Sequence, residues 1–201
     1  QGFIEGNAWN FSLYVPHNPN AMIELMGGKK RFTSHLDSLF TVNLPDEFFT
    51  DTEDITREGI IGNYVHGNEP AHHVAYLYNY SSQPWKTQFY THKIMTELYD
   101  NTTAGLSGNE DCGQLTAWYV FSAMGFYPVN PASGLYLFGS PLLKHTTLNL
   151  ANGKTFSINV TNAGKTYIQS VKLNGRPYTK TYIMHSDIEK GGILEFVMGD
   201  E

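Results

Sequence analysis

The sequence predicts a mainly α-helical protein with an antiparallel β unit at its C-terminal end, a small β-sheet or sandwich region. Two observations carry this. From residue 1 to about 130, apolar residues recur at helical spacing; from about 134 onward they fall into short alternating runs separated by turn signals. The loop Pro128–Gly134 divides the two textures, giving segments 1–133 and 134–201.

Taken in order, 19–26 reads as a short helix closed by Gly27-Gly28. Residues 30–39 place Phe32, Leu36 and Leu39 on one stripe. An acidic connector, 46–54, leads to the glycine-containing stretch 59–63. Two further helices are expected at 70–80 and 84–99, each with proline in its first turn, where the missing N–H costs nothing. Residues 114–124 are apolar on most sides, the pattern of a buried helix, and Gly125 then Pro128 stop it. Strands are expected at 135–138, 146–150, 155–160, 168–173 and 193–197. Asn152-Gly153 and Asn174-Gly175 are two-residue hairpin signals.

Composition narrows the function. Thirteen Lys+Arg against 19 Asp+Glu give a net charge of −6, the wrong sign for a surface that neutralises phosphates or an anionic membrane. Nothing resembles the run of about 18 apolar residues that spans a bilayer. One cysteine, Cys112, excludes an internal disulfide and a multi-cysteine metal site. Aromatics at 14% with charge at only 16% lean toward a carbohydrate partner, since rings stack on the apolar faces of sugars. The chain begins without Met and ends abruptly, which reads as a piece of a longer protein.

Three acidic clusters lie in glycine-containing stretches beside helical patterns. Glu5 is the only charge between Phe3 and Phe11; beside Trp9 its carboxyl would be desolvated, the condition for a general acid, and a helix-start cap is the competing role. Asn68 and Glu69 offer an amide carbonyl and a carboxylate side by side, hard oxygens suited to Ca²⁺. The neighbouring His66, His72 and His73 fit no zinc spacing. Glu110 and Asp111 precede the helix at 114, where acids complement the dipole; equally, a carboxylate fixed in such a loop can activate a water. Cys112 reads as a small buried apolar residue.

Five blocks then carry a resemblance over essentially the whole chain: Glu5-Gly-Asn-Ala-Trp, Val15-Pro-His, His66-Gly-Asn-Glu-Pro-Ala-His-His with Tyr76-Leu-Tyr-Asn-Tyr, Gln83-Pro-Trp-Lys-Thr-Gln, and the run from Gly105 through Asn109-Glu-Asp-Cys-Gly-Gln to Val129. Together they resemble glycoside hydrolase family 92, the calcium-dependent, inverting exo-α-mannosidases of bacteria that digest host or yeast glycans. The resemblance implies the second half of an (α/α)₆ toroid at 1–133, then the C-terminal β region at 134–201. It implies further that an N-terminal part of the same protein is missing from this chain.

By the same resemblance, Glu5 is the catalytic acid and Asp111 the base, with Glu110 either sharing the base role or orienting the water. Asn68 and Glu69 ligate calcium. Trp9, Tyr64, His66, Trp85 and Lys86 are candidates for lining the sugar pocket. The substrate is a terminal α-mannoside, often α-1,2-linked, of N-glycan type, and the location is the bacterial surface, periplasm or exterior. Two rivals remain: another toroid glycosidase that needs no metal, and a glycan-binding domain without turnover.

Overall fold

A computed structural model describes residues 2–49 and 57–201; part of the expected acidic connector, from residue 50 to 54, lies outside them. The helical part opens with a single turn α1 (Ala8–Phe11), then α2 (Pro19–Leu25) and α3 (Lys29–Thr41). Asn7 and Asn18 cap the first two, their side-chain oxygens accepting from Trp9 and Ala21 backbone N–H groups that the helices leave unpaired. Phe32, Leu36 and Leu39 are buried, as the stripe predicts. A minimal hairpin, β1 (Ile60–Ile61) and β2 (Tyr64–Val65), follows.

The expected helix at 70–80 is not an α-helix. It is two 3₁₀ segments, Glu69–Ala71 and Val74–Asn79. The reason lies in its carbonyls. An α-helix would bond His72 O to the N–H of Tyr76 and Tyr76 O to that of Tyr80. Instead the Trp118 indole donates to His72 O at 2.9 Å and the Asn79 amide to Tyr76 O at 3.3 Å. The displaced N–H groups of Tyr76 and Tyr80 fall back one residue, to His73 O and Leu77 O.

Two long helices complete this part: α4 (Pro84–Glu97) and α5 (Gln114–Met124). Helix α5 buries Leu115 and Trp118, yet Val120 on its opposite side is 47% exposed, so it is not enclosed on all sides within this chain. The helical core gathers Leu13, Phe32, Leu36, Leu77, Ile94 and Trp118. The described helices form no closed ring.

The β part holds β3 (Phe126–Tyr127), β4 (Leu135–Phe138), β5 (His145–Asn149), β6 (Thr155–Thr161), β7 (Tyr167–Leu173), β8 (Arg176–Pro177), β9 (Tyr182–Met184), the short helix α6 (His185–Glu189) and β10 (Gly192–Gly199). Asn174-Gly175, at φ 52° and 75°, makes the tight β7–β8 turn its sequence predicts. The turn at Asn152-Gly153 links β5 to β6 within a longer loop closed by Leu150 and Lys154.

The unit is not purely antiparallel. Its five-stranded sheet has the order β5-β6-β10-β7-β8, with β10 parallel to β6 and antiparallel to β7. Everything from β7 to α6 lies between β6 and β10 in the chain, the long crossover a parallel pair requires. A second sheet, β3-β4-β9, begins before the loop at 128–134, and Met124 and Phe126 join Phe156, Leu194 and Phe196 in the β core.

Candidate active site

Three loops converge, and glycine is the reason two of them can. A Cβ on Gly67 would strike the Ser107 carbonyl, and one on Gly108 would strike the Gly67 carbonyl. The backbones of 66–68 and 107–109 therefore touch directly, as only glycine permits. The contact brings Asn68-Glu69 beside the Asn109–Asp111 loop.

The third loop, carrying Glu5, is stitched on by amides. Asn68 Nδ2 donates to the carbonyls of Ile4 at 3.1 Å and Glu5 at 3.2 Å. Asn10 Oδ1 accepts the Val65 N–H at 3.1 Å. Helix α1 is capped by Asn7, so Glu5 does not serve as its cap. Glu5 (φ 53°) and Asp111 (φ 42°) both hold left-handed backbone conformations, unusual for residues with a side chain and common where a side chain must be aimed at a site.

The outcome is an electrostatic cluster. Burial raises the pKa of the Glu69 carboxyl, opposed by its own backbone amide, and the nearby charges of Asp111 and then Glu5 raise it further. The Asp111 side chain lies close enough to the Glu69 carboxyl to act on it directly. Glu69 Oε1 is also buried without a hydrogen-bond partner. A buried, unpartnered carboxylate oxygen among other carboxylates is a place that favours a cation. With the Asn68 amide, the hard-oxygen donors suit calcium. No group of three His, Cys, Asp or Glu arranged to hold a metal occurs among the described residues.

A cleft of about 450 Å³ opens beside Glu69, lined also by Tyr14, His72, His73, Gln114 and Tyr127. A slightly larger one, about 470 Å³, lies between α4 and the β unit and touches none of the candidate residues. The histidines that line this cleft, His72 and His73, are themselves buried, as is His66. Burial lowers the pKa of His72 to about 4, despite the His66 carbonyl bonded to its Nε2 at 3.0 Å. Its Nδ1 meets Gln114 Nε2 at 3.1 Å, and that amide also donates to the Tyr127 hydroxyl.

The remaining candidates divide by position. Tyr64 and His66 are fully buried and offer no surface to a ligand. Tyr64 Oη meets His66 Nδ1 at 2.8 Å, and His66 Nε2 meets Tyr99 Oη at 2.6 Å. Trp9 stacks on His35, ring centroids 4.7 Å apart. Trp85 is half exposed on α4. Lys86 pairs with Asp37 at 2.7 Å and lies over the Tyr78 ring. Glu110 bonds Thr116 through both carboxylate oxygens. Cys112, expected to be buried, is exposed, because the left-handed arc that carries it lies at the surface. Gly67, Gly108, Gln114, Thr116 and Tyr127 escape the sequence reading; only the two glycines left a signal there, as glycines inside acidic loops.

Comparison with known proteins follows this geometry. The model of the glycosyl hydrolase family 92 catalytic domain matches residues 1–200. An uncharacterized secreted glycosidase of Arthroderma benhamiae is 30% identical over 206 residues, spanning 100% of this chain and 24% of that protein. A family GH92 alpha-mannosidase from Bacteroides thetaiotaomicron, solved with mannoimidazole, is 44% identical with a TM-score of 0.90 over 98% of this chain and 26% of that one. An inverting GH92 mannosidase of the same organism is 41% identical with a TM-score of 0.83, over 99% of this chain and 28% of that one. The chain thus spans about a quarter of the length of the relatives it matches.

Proposed function

This chain belongs to glycosyl hydrolase family 92, and from that premise we propose that it carries the acid, the base and part of the calcium site of an exo-acting, inverting α-mannosidase. The whole enzyme would be longer, with an N-terminal portion that completes a helical toroid and the sugar site. Its substrates would be terminal α-mannosides of glycans, N-glycans among them, with α-1,2 linkages the leading class. It would be exported, as the name of its secreted relative suggests.

One observation carries the reading. Glu5 and Asp111, far apart in sequence, both act electrostatically on the half-buried Glu69 carboxyl in the folded chain, so all three carboxyls belong to one neighbourhood. Inverting hydrolysis needs two carboxyl groups on opposite faces of the scissile bond, with room for a water. Glu5, protonated, gives its proton to the leaving oxygen. Asp111, solvent-exposed, is the base that takes a proton from the attacking water. Asn68 and Glu69 would hold calcium, which would supply a positive charge to orient the sugar and favour the transition state over the ground state. Asn68 also fixes the backbone of the Glu5 loop, so acid and cation ligand share one support.

The test is mannose release by the full-length protein from a panel of α-linked mannobioses. Turnover of at least one, with α-1,2 favoured, is the expected result. Binding without turnover of any member would make it a glycan-binding protein instead.

A further inference from the structure

We propose that Glu110 is the positioning residue of Asp111, acting through a clamp on Thr116 and not on the sugar or its water. The proposal rests on the reading of Asp111 as base and assigns its neighbour a different task.

Glu110 spends its whole carboxylate on one residue of α5. Oε1 accepts the Thr116 backbone N–H at 2.9 Å and Oε2 the Thr116 hydroxyl at 2.5 Å. The Glu110 carbonyl accepts the N–H groups of Gln114 at 3.0 Å and Leu115 at 3.4 Å. Helix α5 needs this help. Gly113 stands at its N-cap with no side chain to offer, so the first-turn N–H groups are satisfied by Glu110 from outside the helix.

Between those anchors runs an arc of left-handed residues: Asp111 at φ 42°, Cys112 at 59° and Gly113 at 87°. For the two non-glycine residues this conformation is strained, so the arc persists only where its ends are held. Glu110 holds the entry and the first turn of α5 holds the exit.

The two adjacent carboxylates consequently face different places. Asp111 is exposed and acts on Glu69, together with Glu5. Glu110 acts on the other side, on the phenol of Tyr99, which burial raises first and Glu110 second. Tyr99 and Thr116 line a separate cleft together with Asp100, and Glu5, Glu69 and Asp111 are not among its lining residues. Both Glu110 oxygens are engaged by Thr116 on α5, on the side away from the cluster of Glu5, Glu69 and Asp111, and a residue that accepts from an N–H and a hydroxyl at once has a reason to be acidic.

The test compares variants of the full-length protein on an aryl α-mannoside. Asp111→Asn should lose at least about 10³-fold in kcat, the scale of a lost general base. Glu110→Gln keeps an oxygen for the Thr116 N–H and should lose less than about tenfold, the scale of one weakened hydrogen bond. Glu110→Ala should lower kcat by about 10- to 100-fold with KM within about threefold, because the base is misplaced while the sugar still binds. Thr116→Val should lose a few-fold, roughly one hydrogen bond, and Thr116→Ser should restore it. Azide distinguishes the roles further. In Asp111→Ala it can attack the anomeric carbon on the open face, forming a β-mannosyl azide as the aryl oxygen leaves with the Glu5 proton; in Glu110→Ala the aspartate still occupies that face and azide should not rescue. Glu110→Gln as inactive as Asp111→Asn, azide rescue of Glu110→Ala, or wild-type kcat in Glu110→Ala would each overturn the proposal. An active Asp111→Asn would instead overturn the assignment of the base.

Discussion

Gly67 and Gly108 let two loops pack backbone against backbone: a Cβ on Gly108 would strike the Gly67 carbonyl, and one on Gly67 the carbonyl of Ser107, the residue before Gly108. The contact joins the loop of Asn68 and Glu69, the calcium candidates, to the loop of Asp111, the proposed base. The site's geometry is therefore set by two residues with no chemistry of their own.

Alanine at either position should separate the loops. Overpacking of this kind costs about 1–3 kcal/mol, and a displacement near 1 Å at the base is enough for about 10²-fold in rate. Gly67→Ala and Gly108→Ala are each expected to lower the thermal midpoint and kcat of the full-length protein together. Unchanged kcat in both, measured on folded protein, would show that the contact does not position the site.

Glu5 as the acid makes a leaving-group prediction. Glu5→Gln should lose about 10²–10⁴-fold on an unactivated mannobiose, the contribution of a general acid. With a dinitrophenyl mannoside, whose phenolate leaves without a proton, most of that loss should vanish. An equal loss on both substrates would remove Glu5 from the acid role.

The buried Glu69 oxygen predicts a metal requirement with a second readout. Calcium titrated into the chelated full-length protein should raise its thermal midpoint and restore activity. Glu69→Gln should weaken both responses. Activity that survives exhaustive chelation, with no calorimetric response to calcium, would leave Asn68 and Glu69 as loop supports only.

Histidine burial sets a pH limit. His72 has its pKa lowered to about 4 from 6.5, and burial also lowers His66 and His73. Above 6.5 neither the folded nor the unfolded chain protonates His72. Below it the unfolded chain binds a proton that the folded one excludes, so stability falls as pH drops from 6.5 toward 4. For His72 alone this approaches about 3 kcal/mol. His72→Gln should flatten the fall of the thermal midpoint between pH 7 and 4.5. An equally steep fall in the variant would place the acid sensitivity elsewhere.

Much of this was legible in sequence because it is local. The stripe of Phe32, Leu36 and Leu39 gives α3, and Asn174-Gly175 gives its turn. The acids at 5, 69 and 111 stand out because carboxylates in glycine loops have few structural tasks. What sequence did not disclose depends on distant partners. The 3₁₀ form of 74–79 is imposed by Trp118 and Asn79 taking its carbonyls. The insertion of β10 between β6 and β7 is a choice of tertiary pairing that alternation cannot distinguish from a meander. Tyr64 and His66, next to Asn68 and Glu69 in sequence, are buried, while Tyr14, Gln114 and Tyr127 reach the cleft from elsewhere.

The central claim is that Glu5 and Asp111 act as acid and base across one glycosidic bond, with water as the nucleophile. Proton NMR of the first mannose released by the full-length protein from an aryl α-mannoside, recorded before mutarotation, tests it most directly. The account predicts β-mannose as the initial product, with formation abolished in Asp111→Asn. Initial α-mannose would mean a covalent intermediate and a nucleophilic carboxylate, and would contradict it.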